Sequence, residues 1–318
     1  MNEFELIDLV DAQVGGARRD VVLGIGDDGA VLEVPEGQRL VACVDTMVAG
    51  VHFLPDTAPA DLGWKVLAVN LSDLAAMGAM PAWALLALTL PRGDEAFVRG
   101  LAQGFGELAR QHAVALVGGD TTQGPLTLTV TALGWVARGT AISRAGAQVG
   151  DRVFVTGTLG DAAGALTLLR QSGAAPSAAL LARLQRPQPR IAAGLALRHL
   201  AGACIDVSDG LAADLGHICE ASHVGAVLDA DALPVSPALA AAFDAASCRR
   251  LALTGGDDYE LCFTVAAARA GDMARALADA GCTVTPIGRI VAGSGVRAVD
   301  ASGHDVPIEH PGWQHFAA

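Results

Sequence analysis

Asp28, Asp45, Asp73, Asp120, Asp206 and Asp209 each follow or interrupt an apolar segment, an odd place for an uncompensated acid. The design recurs along the chain as "VVLGIGDD", "RLVACVD", "VALVGGD", "ACIDVSD" and "LALTGGDD". Taken one at a time, such an aspartate reads as a turn former or helix N-cap, and Asp151 and Asp161 keep that reading. As a set, acids spread over separate loops suit magnesium, a hard ion usually held by one or two carboxylates together with substrate phosphates; several ions are implied. Asp73 shares a helical stripe with Val66, Val69, Asn70 and Met77, so its carboxylate falls on a largely apolar face where a bound cation would compensate it. In "CIDVSDGL", Asp206 and Asp209 bracket Ser208 at a strand–helix junction, where all three could reach one ligand; a plain N-cap role for Asp209 is equally compatible.

"GIGDDG" at 24–29 fits the glycine spacing of a dinucleotide loop, with Asp45 about 20 residues on. That fold needs a helix directly after the third glycine. Here "AVLEVPEGQRLVACVD" follows, read as a short strand, a turn and a second strand forming a hairpin. Charge opposes it too: like charges at ~4 Å repel by ~4 kcal/mol at an effective dielectric near 20, so paired aspartates would repel a bare pyrophosphate. A Walker A loop is excluded because the only lysine, Lys65, follows Trp64. Phosphate binding therefore falls to metal ions and arginine. Arg144 in "SRAGA" can grip phosphate bidentately or be an ordinary solvated loop arginine. His52 in "GVHFLPD" is a ligand-facing or a backbone-satisfied loop histidine. "GGDDYEL" at 255–261 offers flexible backbone beside three acids, and Trp313 in "GWQHF" either covers a ring or ties down a tail.

These residues need elements to carry them. The chain has 318 residues, enough for two ordinary domains, with 52% hydrophobic and 17% charged residues, an ordered globular composition. The net charge of −13 argues against nucleic acid or an anionic membrane as partner. "MNEFELIDLV" has acids where a signal peptide needs bases, and no apolar run reaches the roughly 18 residues of a membrane span, so a cytoplasmic protein is expected. Cys43, Cys204, Cys219, Cys248, Cys262 and Cys282 show no C-x-x-C pairing and read as reduced, mostly buried thiols. Helical patterns cover 61–78, with Asp61 as N-cap, and 94–112, 161–170, 177–185, 189–200, 211–221 and 266–280. Strands such as "AWALLALTL", "LTLTVTALGWV" and "RVFVTG" alternate with them, giving an α/β or α+β class. The polar, glycine-rich stretch 138–150 marks a boundary between domains at 1–140 and 148–318.

In family order the motifs "GIGDDGAVL", "VDTMVAGVHF", "VNLSDLAAMGAMP", "LVGGDTT", "SRAGAQVGD", "IDVSDGLAADL" and "GGDDYELCF" span nearly the whole chain. On these the chain resembles the thiamine-monophosphate kinase family, of the superfamily that includes aminoimidazole ribonucleotide synthetase. The resemblance implies two α/β domains, an N-terminal mixed sheet forming a barrel-like homodimer interface, and magnesium and ATP in a cleft between the domains. It implies Asp28, Asp45, Asp73, Asp120, Asp206 and Asp209 as magnesium ligands, and Gly119, Asp120, Arg144 and Ser208 around ATP. His52, Asp257 and Trp313 would meet thiamine monophosphate. Cys43 and Val44 stand where the family usually has hydroxyl residues, and Asp257 replaces its usual glutamate. The acceptor's second pKa is about 6, so it is largely a dianion at neutral pH and no general base is required. Direct in-line transfer helped by cations follows. The alternatives are another ATP-dependent synthetase of the superfamily, or a non-catalytic magnesium–nucleotide binding protein.

Overall fold

Along Thr127–Ala137 every second residue is buried, the alternation of a strand with one face on a core. In the computed structural model, which describes residues 3–14, 18–171, 175–310 and 312–313, this stretch lies inside a four-stranded sheet. The chain divides into two compact units, Met1–Leu74 with Ala79–Gly139, and Ala75–Gly78 with Thr140–Ala318.

The first unit begins with α1 (Glu3–Val14), β1 (Val21–Leu23), β2 (Val31–Leu32), β3 (Gln38–Val48) and α2 (Pro59–Ala76). It continues through β4 (Met80–Leu90), α3 (Glu95–Gln111), β5 (Ala115–Gln123) and β6 (Thr127–Ala137). The sheet order is β3-β6-β4-β5; only β4 and β5 run parallel, with α3 as the crossover a parallel pair requires. α3 starts at Asp94, whose side chain accepts the Phe97 N–H, and buries Val98, Leu101, Phe105 and Leu108. The hairpin expected from β2 into β3 does not form. β2 pairs with β1, while β3 pairs in unbroken register with β6 from Gln38–Ala137 to Val48–Thr127, a far longer ladder than two-residue β2 could offer. The "GIGDDG" loop is therefore the tip of the β1–β2 hairpin, and no helix follows it. Asp61 is not an N-cap either: α2 opens at Pro59, a first-turn position that needs no donor, and the Leu62 N–H bonds to the Ala58 carbonyl.

The second unit holds β7 (Arg152–Thr156), α4 (Asp161–Arg170), α5 (Ala178–Gln185), α6 (Ile191–Leu197), β8 (Ala203–Asp206) and α7 (Leu211–Ser222). β9 (Gly225–Asp229), α8 (Pro237–Ala242), α9 (Ala245–Thr254), β10 (Leu261–Val265) and α10 (Ala270–Asp279) follow, then β11 (Val284–Val291), β12 (Gly295–Val299) and β13 (Asp305–Val306). The seven strands lie in the order β13-β12-β9-β11-β7-β10-β8, antiparallel except for β12 on β9. Val153, Val155, Ile205, Cys262 and Ile287 of the sheet pack with Leu211, Leu215 and Ile218 of α7. β7, β8 and β10 are almost wholly buried runs, and their ends carry the motifs that matter below. All six cysteines are free thiols, Cys43 and Cys282 partly exposed and the rest buried. Among the described residues no helix is long and apolar enough to cross a membrane.

Candidate functional site

In the second unit, β8 pairs antiparallel with β10, Asp206 opposite Leu261. Backbone bonds continue past the strand ends: Val207 N–H to Glu260 O, Tyr259 N–H to Val207 O and Asp257 N–H to Ser208 O, each 2.8 Å. The "GGDDYE" segment is thereby laced to "DVSD". The Trp313 N–H donates to Asp209 O at 3.0 Å, bringing the tail to the same loop; residues 314–316 of "GWQHF" lie outside the described residues. Asp206, Ser208, Asp209, Asp257 and Trp313 are thus gathered at one edge of this sheet.

The N-cap reading of Asp209 fails. Gly210 occupies the cap with φ 129° and no side-chain bond, and a Cβ there would lie 2.8 Å from the Thr254 carbonyl oxygen. Capping falls to Asp214, one turn into α7, whose Oδ2 accepts the N–H groups of Ser208, Asp209 and Gly210 at 3.0, 3.1 and 3.1 Å. Burial pushes the Asp214 carboxyl up to about 8, the charges of Asp206 and Asp209 add to the rise, and the backbone donors oppose it. Such crowding of negative charge is what a divalent cation relieves.

Below this edge lies a buried ionic network that the residue pattern did not disclose. Glu260 is fully buried and accepts from Thr156 Oγ1 (2.6 Å), Arg183 (2.8 Å) and both Nε and an outer nitrogen of Arg190 (2.6 and 2.5 Å). Arg183 also donates to the carbonyls of Thr158 and Asp258 at 3.2 Å, strapping the β7–α4 loop to the segment that carries Asp257. Asp161 accepts from Thr158 and Ser236 hydroxyls at 2.6 and 2.5 Å, a structural acid; it is neither turn former nor N-cap, being the first residue of α4 behind the Gly160 cap. Arg144 is exposed in the loop before β7, whose backbone is held by the Ser222 hydroxyl at Arg144 O (3.2 Å).

In the first unit, Asp45 on β3 and Asp73 on α2 both lie against Cys43: burial raises its thiol most, followed by the charges of Asp73 and then Asp45. Asn70, fully buried, makes this junction. Its Oδ1 accepts the Asp45 N–H (3.1 Å), its Nδ2 donates to Val66 O (3.0 Å), and its carbonyl accepts the Cys43 thiol (3.3 Å). An amide inside an apolar helical stripe was the available signal. His52 Nδ1 accepts the Val48 N–H at 2.9 Å, which leaves the neutral ring's proton on Nε2. Asp28 is exposed at the hairpin tip. Gly119 passes so close to β4 that a Cβ would sit 1.9 Å from the Leu86 carbonyl oxygen, and Asp120 beyond it is exposed. Register rows run Asp45–Val130–Leu86–Gly119, so Asp45 and Gly119 stand three strands, about 14 Å, apart. Among the described residues no three acidic, histidine or cysteine side chains form a ready-made metal cage. Scattered hard oxygen donors of this kind fit magnesium shared with phosphate oxygens.

Residues 26–136 match the family model "AIR synthase related protein, N-terminal domain", and 148–301 the corresponding C-terminal domain. Over 99% of this chain and 98% of the relative, the sequence is 47% identical to the thiamine-monophosphate kinase of Escherichia coli (strain K12). The chain belongs to the thiamine-monophosphate kinase family. A solved member of this family, from Stenotrophomonas maltophilia K279a, superposes with TM-score 0.88 at 49% identity, covering 96% of this chain and 98% of that one. AaThiL complexed with AMPPCP and TMP superposes with TM-score 0.78 at 34% identity, over 99% and 97% of the two chains. The family's two-domain mixed α/β fold is the one described above. Asp214 is what motif reading passed over, and Asn70 and Glu260 entered it only as members of a helical stripe and an acid run: each acts on backbone or on another side chain.

Proposed function

We propose that this chain is an ATP- and magnesium-dependent kinase that phosphorylates thiamine monophosphate to thiamine diphosphate. The observation that carries the reading is the lacing of "DVSD" to "GGDDYE" and Trp313 in a chain alike over its full length to thiamine-monophosphate kinases. Two anions must be brought together by a protein of net charge −13, so cations have to mediate. Asp28, Asp45, Asp73, Asp120, Asp206 and Asp209 would hold magnesium, which when bound neutralises phosphate charge and orients the triphosphate. Arg144 grips a phosphate, with the Ser208 hydroxyl and the backbone at Gly119 and Asp120 completing the nucleotide contacts. His52 presents Nε2–H, and Asp257 and Trp313 flank thiamine monophosphate.

The acceptor phosphate is already an anion, so no side chain needs to take its proton, and in-line transfer without a phosphoenzyme follows. We place the domain boundary between 140 and 148, and assign a cytoplasmic homodimer whose N-terminal sheets form the interface. Incubating the purified protein with MgATP and thiamine monophosphate and following thiamine diphosphate by fluorescence after oxidation tests the reading. Absence of product at saturating magnesium would leave only a nucleotide-binding role, and a kinetically competent phosphoenzyme would refute direct transfer.

A further inference from the structure

We propose that Tyr259 is a positioning residue for this reaction, its phenol hydroxyl fixing the Asp257 carboxylate in the orientation that receives thiamine monophosphate; this rests on the reading of Asp257 as a substrate contact. The hydroxyl donates to Asp257 Oδ1 at 3.0 Å, and the tyrosine is only 8% exposed. A bond from a neutral donor to a carboxylate in partly buried surroundings is stronger and more directional than one in water.

The backbone is arranged around this pair. Asp257 and Tyr259 adopt φ of 68° and 51°, left-handed conformations uncommon outside glycine. They persist because the segment is anchored on both sides: Asp257 N–H to Ser208 O, Tyr259 N–H to Val207 O, and between them Asp258 Oδ2 taking the Gly160 N–H at 2.7 Å. Non-glycine residues held this way cluster where geometry serves function. Thiamine monophosphate carries a cationic ring, and a carboxylate turned away from it would lose that attraction.

The competing account is that a buried tyrosine merely satisfies its hydroxyl. Tyr259→Phe keeps the ring and removes the donor. Positioning predicts a rise of about tenfold in KM for thiamine monophosphate, the equivalent of about 1.4 kcal/mol. KM for ATP and kcat should stay within about twofold. A parallel rise in both KM values, or no rise, overturns the proposal. Asp257→Asn separates the two layers: if it raises KM for thiamine monophosphate and Tyr259→Phe does not, only the positioning role falls, whereas if neither does, the substrate role of Asp257 falls with it. Tyr259 is the single tyrosine of the chain, so wild-type protein labelled with carbon-13 at the tyrosine ζ position gives one resonance. It should move on adding thiamine monophosphate and not on adding ADP; a resonance unmoved by thiamine monophosphate overturns the proposal whether or not the variants fold.

Discussion

Glu260→Gln should be among the most damaging conservative substitutions in the second unit. The carboxylate is fully buried and bonded to Arg183, Arg190 and Thr156, and Gly157, whose Cβ would lie 2.2 Å from Glu260 Oε1, leaves it room. The substituted amide would fill the same volume and keep one acceptor but strand two guanidinium groups. Removing one partner of a buried pair costs roughly 3–5 kcal/mol. The side chains of Arg183 and Arg190 are 19% and 28% exposed, so water recovers part of this and about 3 kcal/mol is the working figure. Urea unfolding measures it without screening the pair by salt, with the two units' transitions resolved separately should they not coincide. Because Arg183 also holds the carbonyls of Thr158 and Asp258, KM for thiamine monophosphate should rise in the same variant. A loss below about 1 kcal/mol, the range of an exposed ion pair, would show that the network is solvated and the reasoning wrong.

Asp258→Asn should change how stability depends on pH. Burial holds the Asp258 carboxyl well above its ordinary range, against the Gly160 N–H and Arg183, which pull it down. The folded protein therefore keeps a proton that the unfolded chain releases above about pH 4, so this group's contribution is full at low pH and is lost as pH rises toward the folded value. Tm measured between about pH 5 and pH 8 should fall less in the asparagine variant than in wild type; equal slopes would mean that Asp258 ionises normally. Asp73→Asn and Asp209→Asn should each lower turnover about 100-fold or more with Tm little changed, judged against the 10–100-fold typical of residues behind metal ligands. Near-normal rates at limiting magnesium would remove both from the ligand set.

Periodicity discloses elements whose exposure alternates along one face. β6 and α4 follow directly from it, as does the amphipathic α3 behind its Asp94 cap. It does not disclose partners. β2 and β3 are joined by a turn at Pro35–Gln38 and look like a hairpin, yet β6 offers β3 eleven residues of register and takes it. α1, α8 and α9 escaped notice; α8, six residues long, is too short to show a helical repeat and draws its stability from tertiary packing. The stretch 189–200 yields a helix only over Ile191–Leu197. The candidate acids stand out in the sequence where they meet a strand end, because burial of charge there is costly unless something compensates it.

Asp209 and Asp214 divide the work of a strand–helix junction between them. At a strand–helix junction the first turn has unpaired N–H groups, and an aspartate just before the helix would ordinarily spend its carboxylate on them. Here Asp214, from inside the helix, collects three N–H groups of the junction on one oxygen, and Gly210 supplies a cap conformation without a side chain. The backbone of Asp209 is pinned by Asp214 on one side and by the Trp313 N–H on the other. Had Asp209 been a simple cap, "SDG" would be one more turn. With that duty moved five residues on, the acids of this loop stand on a settled backbone, as the proposed cation site would require.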